Sequence, residues 1–393
     1  MKLNILSFDS EMLTEQNRMP SPDKDPIIMM TFAANYGLIN KDGIEKNKVV
    51  LLLDRKGNKS FEDQGDHWLL RYPDEKEIIK AWEKLVSSAD IICSYNGNGF
   101  DFPYIIDRGR ALRMKGLKIG NADKTLWKRD RVSKGLKVIT ILGTEGKILL
   151  DVLYMLRRTD ESNVFKKNYN LKSLKLEHVS REIFGEEKGK LEFSIVDMTN
   201  WWKTGERETD FINYGLRDAE VVLEMVTKFR LLDKFIMLSR KSGKLIQDVL
   251  DSTGFGALVE NLLMKRYRDE DRVVYCRSER EDASTTTNNY NNSKKDDDLQ
   301  GAYVLEPKIG ITDCLASADM KSMYPTLMIK NNICFSTVTS DKTIPRKDVN
   351  IIENVDGIPY GRFVRPHIKK GIIPTILEEL MIERTYLKKE MKK

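Results

Sequence analysis

The sequence predicts an α/β fold with a mixed sheet and flanking helices. Three observations predict it: residues 3–11 alternate as a strand does, residues 74–87 carry apolar side chains at helical spacing, and residues 91–95 form a short apolar run. Strands and a helix in this order are typical of a sheet that is covered by helices. At 393 residues the chain is long enough for two or three domains.

The first strand carries the acids on which the functional interpretation depends. Side chains alternate between the two faces of a strand, so Asp9 and Glu11 point one way while Phe8 and Ser10 point the other way. Two carboxylates this close repel each other unless a proton or a metal ion neutralises them, and their oxygens suit Mg²⁺ or Mn²⁺. The alternative that this stretch leaves open is a strand end with two solvated acids.

The elements that follow extend the sheet and cover it. Residues 27–36 and 49–53 read as strands, residues 137–151 as a hairpin, and residues 170–184 as a helix. The helix over residues 74–87 has acids in its first turn, where they favour a helix start.

A glycine-containing loop leads to the next acid. The glycines in residues 96–99 would let the main chain come close to a ligand. Asp101 follows this loop, just ahead of Pro103, which can open a helix. Asp101 is therefore either a local helix-capping acid or an acid that faces Asp9 and Glu11.

Residues 208–228 form the better-defined helix, with acids at its start and basic residues after its end. Tyr214 and Asp218 are four positions apart on it, so they share one face. Both lie near the apolar stripe, and the open alternative is that they are residues at the edge of the core.

The second half of the chain reads as a separate unit. Residues 279–298 have few apolar side chains and are predicted to be a disordered or inserted linker. Residues 315–319 then read as a strand, 320–329 as a turn and helix, and 374–393 as a helix. The last 35 residues hold nine Lys or Arg against four Glu, a charge of +5, which suits phosphate contact or a solvated helix face.

Composition makes several site classes improbable. No apolar run has the length of a membrane span, and the N-terminus has no signal pattern, so we expect a cytoplasmic protein without a membrane partner. A zinc site, a disulfide framework and histidine-based catalysis are all poorly supported by the scattered cysteines and histidines, which are Cys93, Cys276, Cys314, Cys334, His67, His178 and His367.

Taken together, three stretches resemble the motifs of the 3′→5′ exonuclease of family B DNA polymerases, especially the archaeal replicative ones. FDSEM at residues 8–12 is similar to the first motif, with Met12 in place of threonine. YNGNGFDFPYI at residues 95–105 is similar to the second motif, and Tyr214 with Asp218 to the third. Their order and separation both fit the family.

The resemblance continues into the polymerase region. DMKSMYPT at residues 319–326 is similar to polymerase motif A, and residues 332–337 match the segment that usually follows it. The family implies these domains: an RNase H-like exonuclease over 1–235, a helical connector over 236–278, the linker over 279–298, a partial α+β palm over 299–365 and the first fingers helix over 366–393.

The resemblance also implies the roles of the exonuclease residues. Asp9 would bridge two Mg²⁺ or Mn²⁺ ions, Glu11 and Asp218 would hold one of them, and Asp101 would act on the other, partly through water. Tyr214 would orient the attacking water. The substrate would be a single-stranded 3′ end of DNA.

For the polymerase region, the resemblance implies that Asp319 is a metal-binding palm carboxylate. Nucleotide contacts with a dNTP would come from Ser322, Met323, Tyr324, Arg384 and Lys388. Contacts with DNA, including a primer-template, would come from Asn96, Phe100, Gly301 and Ala302. The alternatives are a strand-end acid for Asp319 and an exposed basic face for Arg384 and Lys388, which are spaced for one face of a helix.

The palm hairpin motif Y-G-D-T-D-S, which supplies the second palm carboxylate in the family, is not found in the sequence. We therefore expect that this chain does not synthesise DNA alone, and that a C-terminal polymerase subunit or a longer polypeptide would supply the rest. The alternatives are a free-standing 3′→5′ exonuclease and an inactive DNA-binding accessory subunit.

Overall fold

The computed structural model divides into two compact units, Met1–Thr253 and Gly254–Lys393. It describes residues 3–14, 18–132, 138–157, 169, 171–185, 195–252, 255–274, 305–307, 309–311, 313–314, 316–353 and 359–393. The predicted linker and the predicted DNA contacts Gly301 and Ala302 lie outside these residues. The predicted domain boundaries stay predictions.

The first unit is built on a mixed sheet, as predicted, and this sheet has seven strands. Its strands follow the order β11-β8-β1-β2-β5-β7-β6, in which β1 pairs antiparallel with β2 and parallel with β8. The strands of this unit are β1 (Ile5–Met12), β2 (Ile27–Ala34), β3 (Ile39–Lys41), β4 (Ile44–Lys46), β5 (Lys48–Leu53), β6 (Ser60–Asp63), β7 (Trp68–Tyr72), β8 (Ile91–Ser94), β9 (Trp127–Val132), β10 (Val138–Gly143) and β11 (Ile148–Asp151). The strand with the first two acids thus lies inside the sheet.

Helices cover both faces of this sheet. The helices of this unit are α1 (Glu75–Ser87), α2 (Asp101–Ala111), α3 (Val152–Arg157), α4 (Leu176–Phe184), α5 (Ile195–Thr204), α6 (Glu208–Lys228), α7 (Asp233–Ser242) and α8 (Ile246–Asp251). Of these, α1 and α2 pack on one face of the sheet, and α5 and α6 on the other. Phe8 packs edge-on against Trp82 of α1 and Phe102 of α2, with ring centroids 5.7 and 5.1 Å away. A separate apolar cluster joins the opposite face of the sheet to α5 and α6. Because side chains alternate along β1, Asp9 faces the α6 side.

A buried ion pair fastens α1 to α2. Glu75 and Arg108 are both nearly inaccessible to solvent, and Nη2 of Arg108 lies 2.7 Å from Oε2 of Glu75. The main-chain N–H of Ile27, the first residue of β2, donates to Oε1 of Glu75 at 2.8 Å. One carboxylate therefore connects two helices and a strand.

The predicted hairpin over residues 137–151 is wrong in its pairing. β10 pairs antiparallel with β9, whereas β11 joins the main sheet parallel to β8. The reason is that Leu149 and Leu150 of β11 are both buried, so this strand is covered on both faces as an interior strand is. The predicted helix over 170–184 is confirmed only for α4.

The second unit contains α9 (Gly256–Asp269), α10 (Met323–Lys330), β12 (Val349–Glu353), β13 (Pro359–Val364) and α11 (Ile372–Glu390). Its buried core joins Tyr267, Cys334, Ile372 and Ile376. The predicted strand over 315–319 is not formed: residues 316–319 are irregular and exposed, and no strand pairs with them in the described ranges.

Among the described helices of both units, none combines the length and the apolar character needed to cross a lipid bilayer.

Candidate functional site

Three carboxylates converge where β1 meets α6. Each of Asp9, Glu11 and Asp218 offers an oxygen, and these oxygens all lie within 4.8 Å of one another. Asp218 is 3% exposed, while Asp9 and Glu11 are half-buried. In the part of the chain that the structure describes, this is the one group of three or more His, Cys, Asp or Glu side chains so closely arranged.

A close approach of α6 to the sheet brings these acids together. Asp9 of β1 is in register with Thr31 of β2, and Oγ1 of Thr31 donates to the carbonyl oxygen of Gly215 on α6 at 2.8 Å. A Cβ atom at Gly215 would lie 2.5 Å from Cε of Met29 and 3.0 Å from Cγ2 of Thr31. The missing side chain therefore lets α6 pack directly on β2, next to Asp9.

Tyr214 and Asp218 lie one helical turn apart on α6 and are both buried. Tyr214 belongs to the apolar cluster between the sheet and α6, whereas Asp218 belongs to the carboxylate group. The spacing of four residues predicted a shared helix face, and α6 carries both residues on its buried side. The roles assigned to them stay predictions.

Asp101 does not belong to the group of three carboxylates. It is the first residue of α2 and is 4% exposed, and its carboxylate accepts a hydrogen bond from Oγ of Ser10. Burial and then the nearby charge of Asp9 raise the pKa of Asp101 to about 8, against the opposing effect of the Ser10 hydrogen bond. Asp101 thus interacts electrostatically with Asp9 but is held on the Ser10 side of β1.

The loop between β8 and α2 contains the other predicted residues of this unit, Asn96 and Phe100. Both are half-buried, and Asn96 has a left-handed main-chain conformation with φ of 64°. The ring of Phe100 lies 5.8 Å from that of Tyr104, so it packs partly on its own helix. Their assignment to DNA stays a prediction.

The roles of two residues near these acids were not predicted from the sequence. For Ser10 the sequence predicted only which face of the strand it lies on. In the structure its hydroxyl donates a hydrogen bond to the carboxylate of Asp101, 91 positions away. Asp151 is a buried acid at the end of β11 whose carboxylate accepts three main-chain N–H groups. An acid directly after the apolar run of residues 148–150 was the signal that could have singled out Asp151.

The predicted nucleotide-binding residues of the second unit are mostly exposed. Tyr324 is 72% exposed, Met323 is 40% exposed, and Asp319, Arg384 and Lys388 are also exposed. Nη1 of Arg384 on α11 lies 3.5 Å from Oγ of Ser322, which precedes α10. The structure thus brings Ser322 and Arg384 together, whereas Asp319 joins no carboxylate group in the described ranges.

The donor set of the first unit fits a hard divalent cation. Three carboxylates provide only oxygen ligands, the type that Mg²⁺ and Mn²⁺ prefer. Three like charges within this distance need neutralisation, which a cation supplies. The number and identity of the ions stay predictions.

Comparison with protein families matches most of the chain. The model of the DNA polymerase family B exonuclease domain matches residues 1–179, and the model of DNA polymerase family B matches residues 247–393. The first range includes Asp9, Glu11 and Asp101. Tyr214 and Asp218 lie beyond it, and the fold carries them to β1.

Curated relatives and a solved structure agree with the family models. The chain is 28% identical to the DNA polymerase delta catalytic subunit of Candida albicans and 26% identical to that of Dictyostelium discoideum, covering 100% and 99% of this chain. It spans 36% and 33% of those relatives, about a third of their length. The structure of the family B DNA polymerase from the hyperthermophilic archaeon Pyrobaculum calidifontis has a similar fold, with a TM-score of 0.59 at 24% identity, covering 100% of this chain and 43% of that one.

Proposed function

The chain belongs to DNA polymerase family B, and from this premise we propose that its first unit is a metal-dependent 3′→5′ exonuclease. The substrate would be the single-stranded 3′ end of DNA, as in proofreading during DNA replication. The observation that carries the proposal is the convergence of Asp9, Glu11 and Asp218 within 4.8 Å. Two of these acids lie in the range that the exonuclease model matches.

Asp9, Glu11 and Asp218 would hold a divalent cation, and Asp9 would also reach a second one, on which Asp101 would act partly through water. When bound, Mg²⁺ or Mn²⁺ ions lower the pKa of a bound water and offset the charge on the leaving 3′-oxygen. The burial of Asp218 keeps competing water away from its carboxylate. Because burial and Asp9 favour the protonated form of Asp101, this acid would lose its proton when a cation binds.

Tyr214 would act on the attacking water rather than on the cation. Tyr214 and Asp218 lie one turn apart on α6, so the packing of this helix positions both side chains. A phenol can donate one hydrogen bond and accept others, which allows it to orient a water molecule.

For DNA synthesis we propose a contribution rather than a complete site. Asp319 would hold one metal ion of the palm, and Ser322, Tyr324, Arg384 and Lys388 would contact the incoming dNTP. Two-metal phosphoryl transfer needs at least one further palm carboxylate. A segment of the same or of another polypeptide, such as a C-terminal polymerase subunit, would supply it. The archaeal replicative type and a cytoplasmic location are part of this proposal.

The test is degradation of a 5′-labelled single-stranded oligonucleotide by the 393-residue chain with Mg²⁺, with Mn²⁺ and with EDTA. We expect a ladder that shortens from the 3′ end with either metal and no product in EDTA. Asp9→Ala should lower the rate by about 10³-fold, because metal stabilisation of the transition state is worth several kcal/mol.

Asp23→Ala is the matched control, because Asp23 is an exposed aspartate of the same unit. It should degrade DNA at the wild-type rate. A wild-type rate in Asp9→Ala would reject the proposed site. Metal-independent DNA binding without any degradation would support the inactive accessory subunit instead.

A further inference from the structure

Asp151 is a buried carboxylate that the proposed reaction does not use. It is the last residue of β11 and is 7% exposed. In the parallel pairing with β8 it is in register with Ser94, the last residue of that strand. The chain that leaves β8 at Ser94 forms the loop that leads to Asp101.

The two oxygens of Asp151 receive hydrogen bonds from this loop. Oδ1 accepts from the main-chain N–H groups of Asn96 at 3.0 Å and Tyr154 at 3.3 Å, and Oδ2 accepts from that of Asn98 at 3.2 Å. Burial raises the pKa of the Asp151 carboxyl, while the amide donors oppose that rise. A carboxylate has lone pairs for about four such bonds, so this set suits its acceptor capacity.

The loop has an uncommon conformation that depends on its particular residues and on contacts from outside it. Asn96 is left-handed with φ of 64°, a region that few non-glycine residues adopt and that asparagine tolerates better than most. A Cβ atom at Gly97 would lie 2.1 Å from Oγ of Ser94. Such a backbone persists when surrounding contacts over-determine it, and the Asp151 carboxylate provides two of them.

The loop in turn sets the start of α2. The carbonyl oxygens of Asn96 and Gly97 accept hydrogen bonds from the N–H groups of Phe100 at 2.9 Å and Phe102 at 3.0 Å. No side chain caps α2 at its N-terminus. The carbonyl of Gly97 belongs to the same peptide unit as the N–H of Asn98, which Asp151 accepts, so Asp151 holds the peptide that in turn accepts from the start of α2.

We propose that Asp151 is a positioning residue for the exonuclease site: it fixes the loop of residues 96–98 and, through that loop, the carboxylate of Asp101. The inference rests on the proposed exonuclease activity. It goes beyond that activity because Asp151 has no part in holding the metal or the DNA. The positioning effect passes through main-chain hydrogen bonds and is separate from the direct electrostatic effect of Asp151 on Asp101.

The first test is site-resolved hydrogen exchange of the metal-free protein. Asp151→Ala removes both acceptors, so the amides of Asn96 and Asn98 should both exchange about tenfold faster. Asp151→Asn keeps one carbonyl oxygen and should leave one of these two amides protected. The amides of β2 and β5 should keep their wild-type rates, which separates loss of the loop contacts from a loss of global stability.

The second test measures kcat on the single-stranded oligonucleotide with Mg²⁺. A displaced Asp101 should lower kcat by about 10²-fold in Asp151→Ala and by less in Asp151→Asn, because misplacement by about 1 Å costs this much. Asp54→Asn is the matched control, since the carboxylate of Asp54 also holds a turn by accepting the N–H groups of Lys56 and Asn58, at 3.0 and 2.8 Å. It should leave kcat unchanged.

The outcomes separate the two proposals. Faster exchange at residues 96 and 98 with an unchanged kcat overturns the positioning role and leaves the exonuclease proposal intact. Unchanged exchange in both variants also overturns it, as does a uniform loss of protection across β2 and β5. A wild-type chain that degrades no DNA rejects the proposed function itself.

Discussion

The two units of the chain present their predicted catalytic acids in different surroundings. In the first unit Asp218 and Asp101 are 3% and 4% exposed and are enclosed by a sheet and its helices. In the second unit Asp319 is exposed, and the neighbouring Tyr324 is 72% exposed. Burial and neighbouring charge change the pKa of an enclosed acid, and a pKa that differs between the folded and unfolded states contributes to the stability of the unit. Substitutions of the enclosed acids Asp101 and Asp218 should therefore change function and stability together.

The largest expected effect is the loss of the proposed exonuclease activity in Asp218→Asn. An asparagine removes one negative charge from the group of three carboxylates, so the rate should fall by about 10³-fold. The control is Asp210→Asn on the same helix, where Asp210 is a half-exposed partner of Arg207. The oligonucleotide assay measures the rates of both variants. Equal rates would contradict the prediction that the enclosed Asp218, and not the more exposed Asp210, is needed for activity.

The next effect is on stability, and it is seen by substituting one glycine in each unit with alanine. Gly215→Ala places a methyl group against Met29 and Thr31, and we expect it to destabilise the first unit by about 1–3 kcal/mol. Gly256→Ala meets nothing within 4 Å in the second unit and should be neutral or stabilise α9 by up to about 1 kcal/mol.

Denaturation by urea measures this pair. All five tryptophans precede residue 203, so their fluorescence reports the first unit, and circular dichroism reports the helices of both. A Gly215→Ala protein with a wild-type fluorescence midpoint would contradict the close packing of α6 on β2.

The smallest effect concerns the pH dependence of stability without metal. Because the pKa of Asp101 is raised from 3.8 to about 8, the folded state binds more protons than the unfolded state between these values, and stability falls as pH rises through this range. The Asp101→Asn variant has no carboxyl group to ionise at this position, so its stability should not fall with pH for this reason. Its unfolding free energy should exceed that of the wild type by about 1 kcal/mol or more at pH 8, with the difference shrinking toward pH 4.

Urea midpoints in EDTA at pH 5 and pH 8 check the sign. Asp319→Asn makes the same exchange at an exposed aspartate of the second unit and serves as the reference substitution. The same offset for Asp101→Asn at both pH values would contradict the raised pKa.

The sequence predicted those parts of the fold that depend on local pattern. Alternation along β1, the apolar period of α1 and the spacing of Tyr214 and Asp218 all survive in the structure, because each is fixed by neighbours in the chain. The interaction of Ser10 with Asp101 joins residues 91 positions apart, and no local pattern encodes it. The pairing of β11 with β8 likewise depends on tertiary burial.

The Glu75–Arg108 pair restricts what α2 can do. Arg108 lies seven residues beyond Asp101, so the fastening point is about 10 Å along the helix axis from that acid. With the loop of residues 96–98 bound at one end and a buried guanidinium bound further along, we expect α2 to be unable to tilt. If the proposed DNA substrate binds here, ends of different sequence would have to be accommodated by changes in the conformation of the DNA, because α2 is rigid.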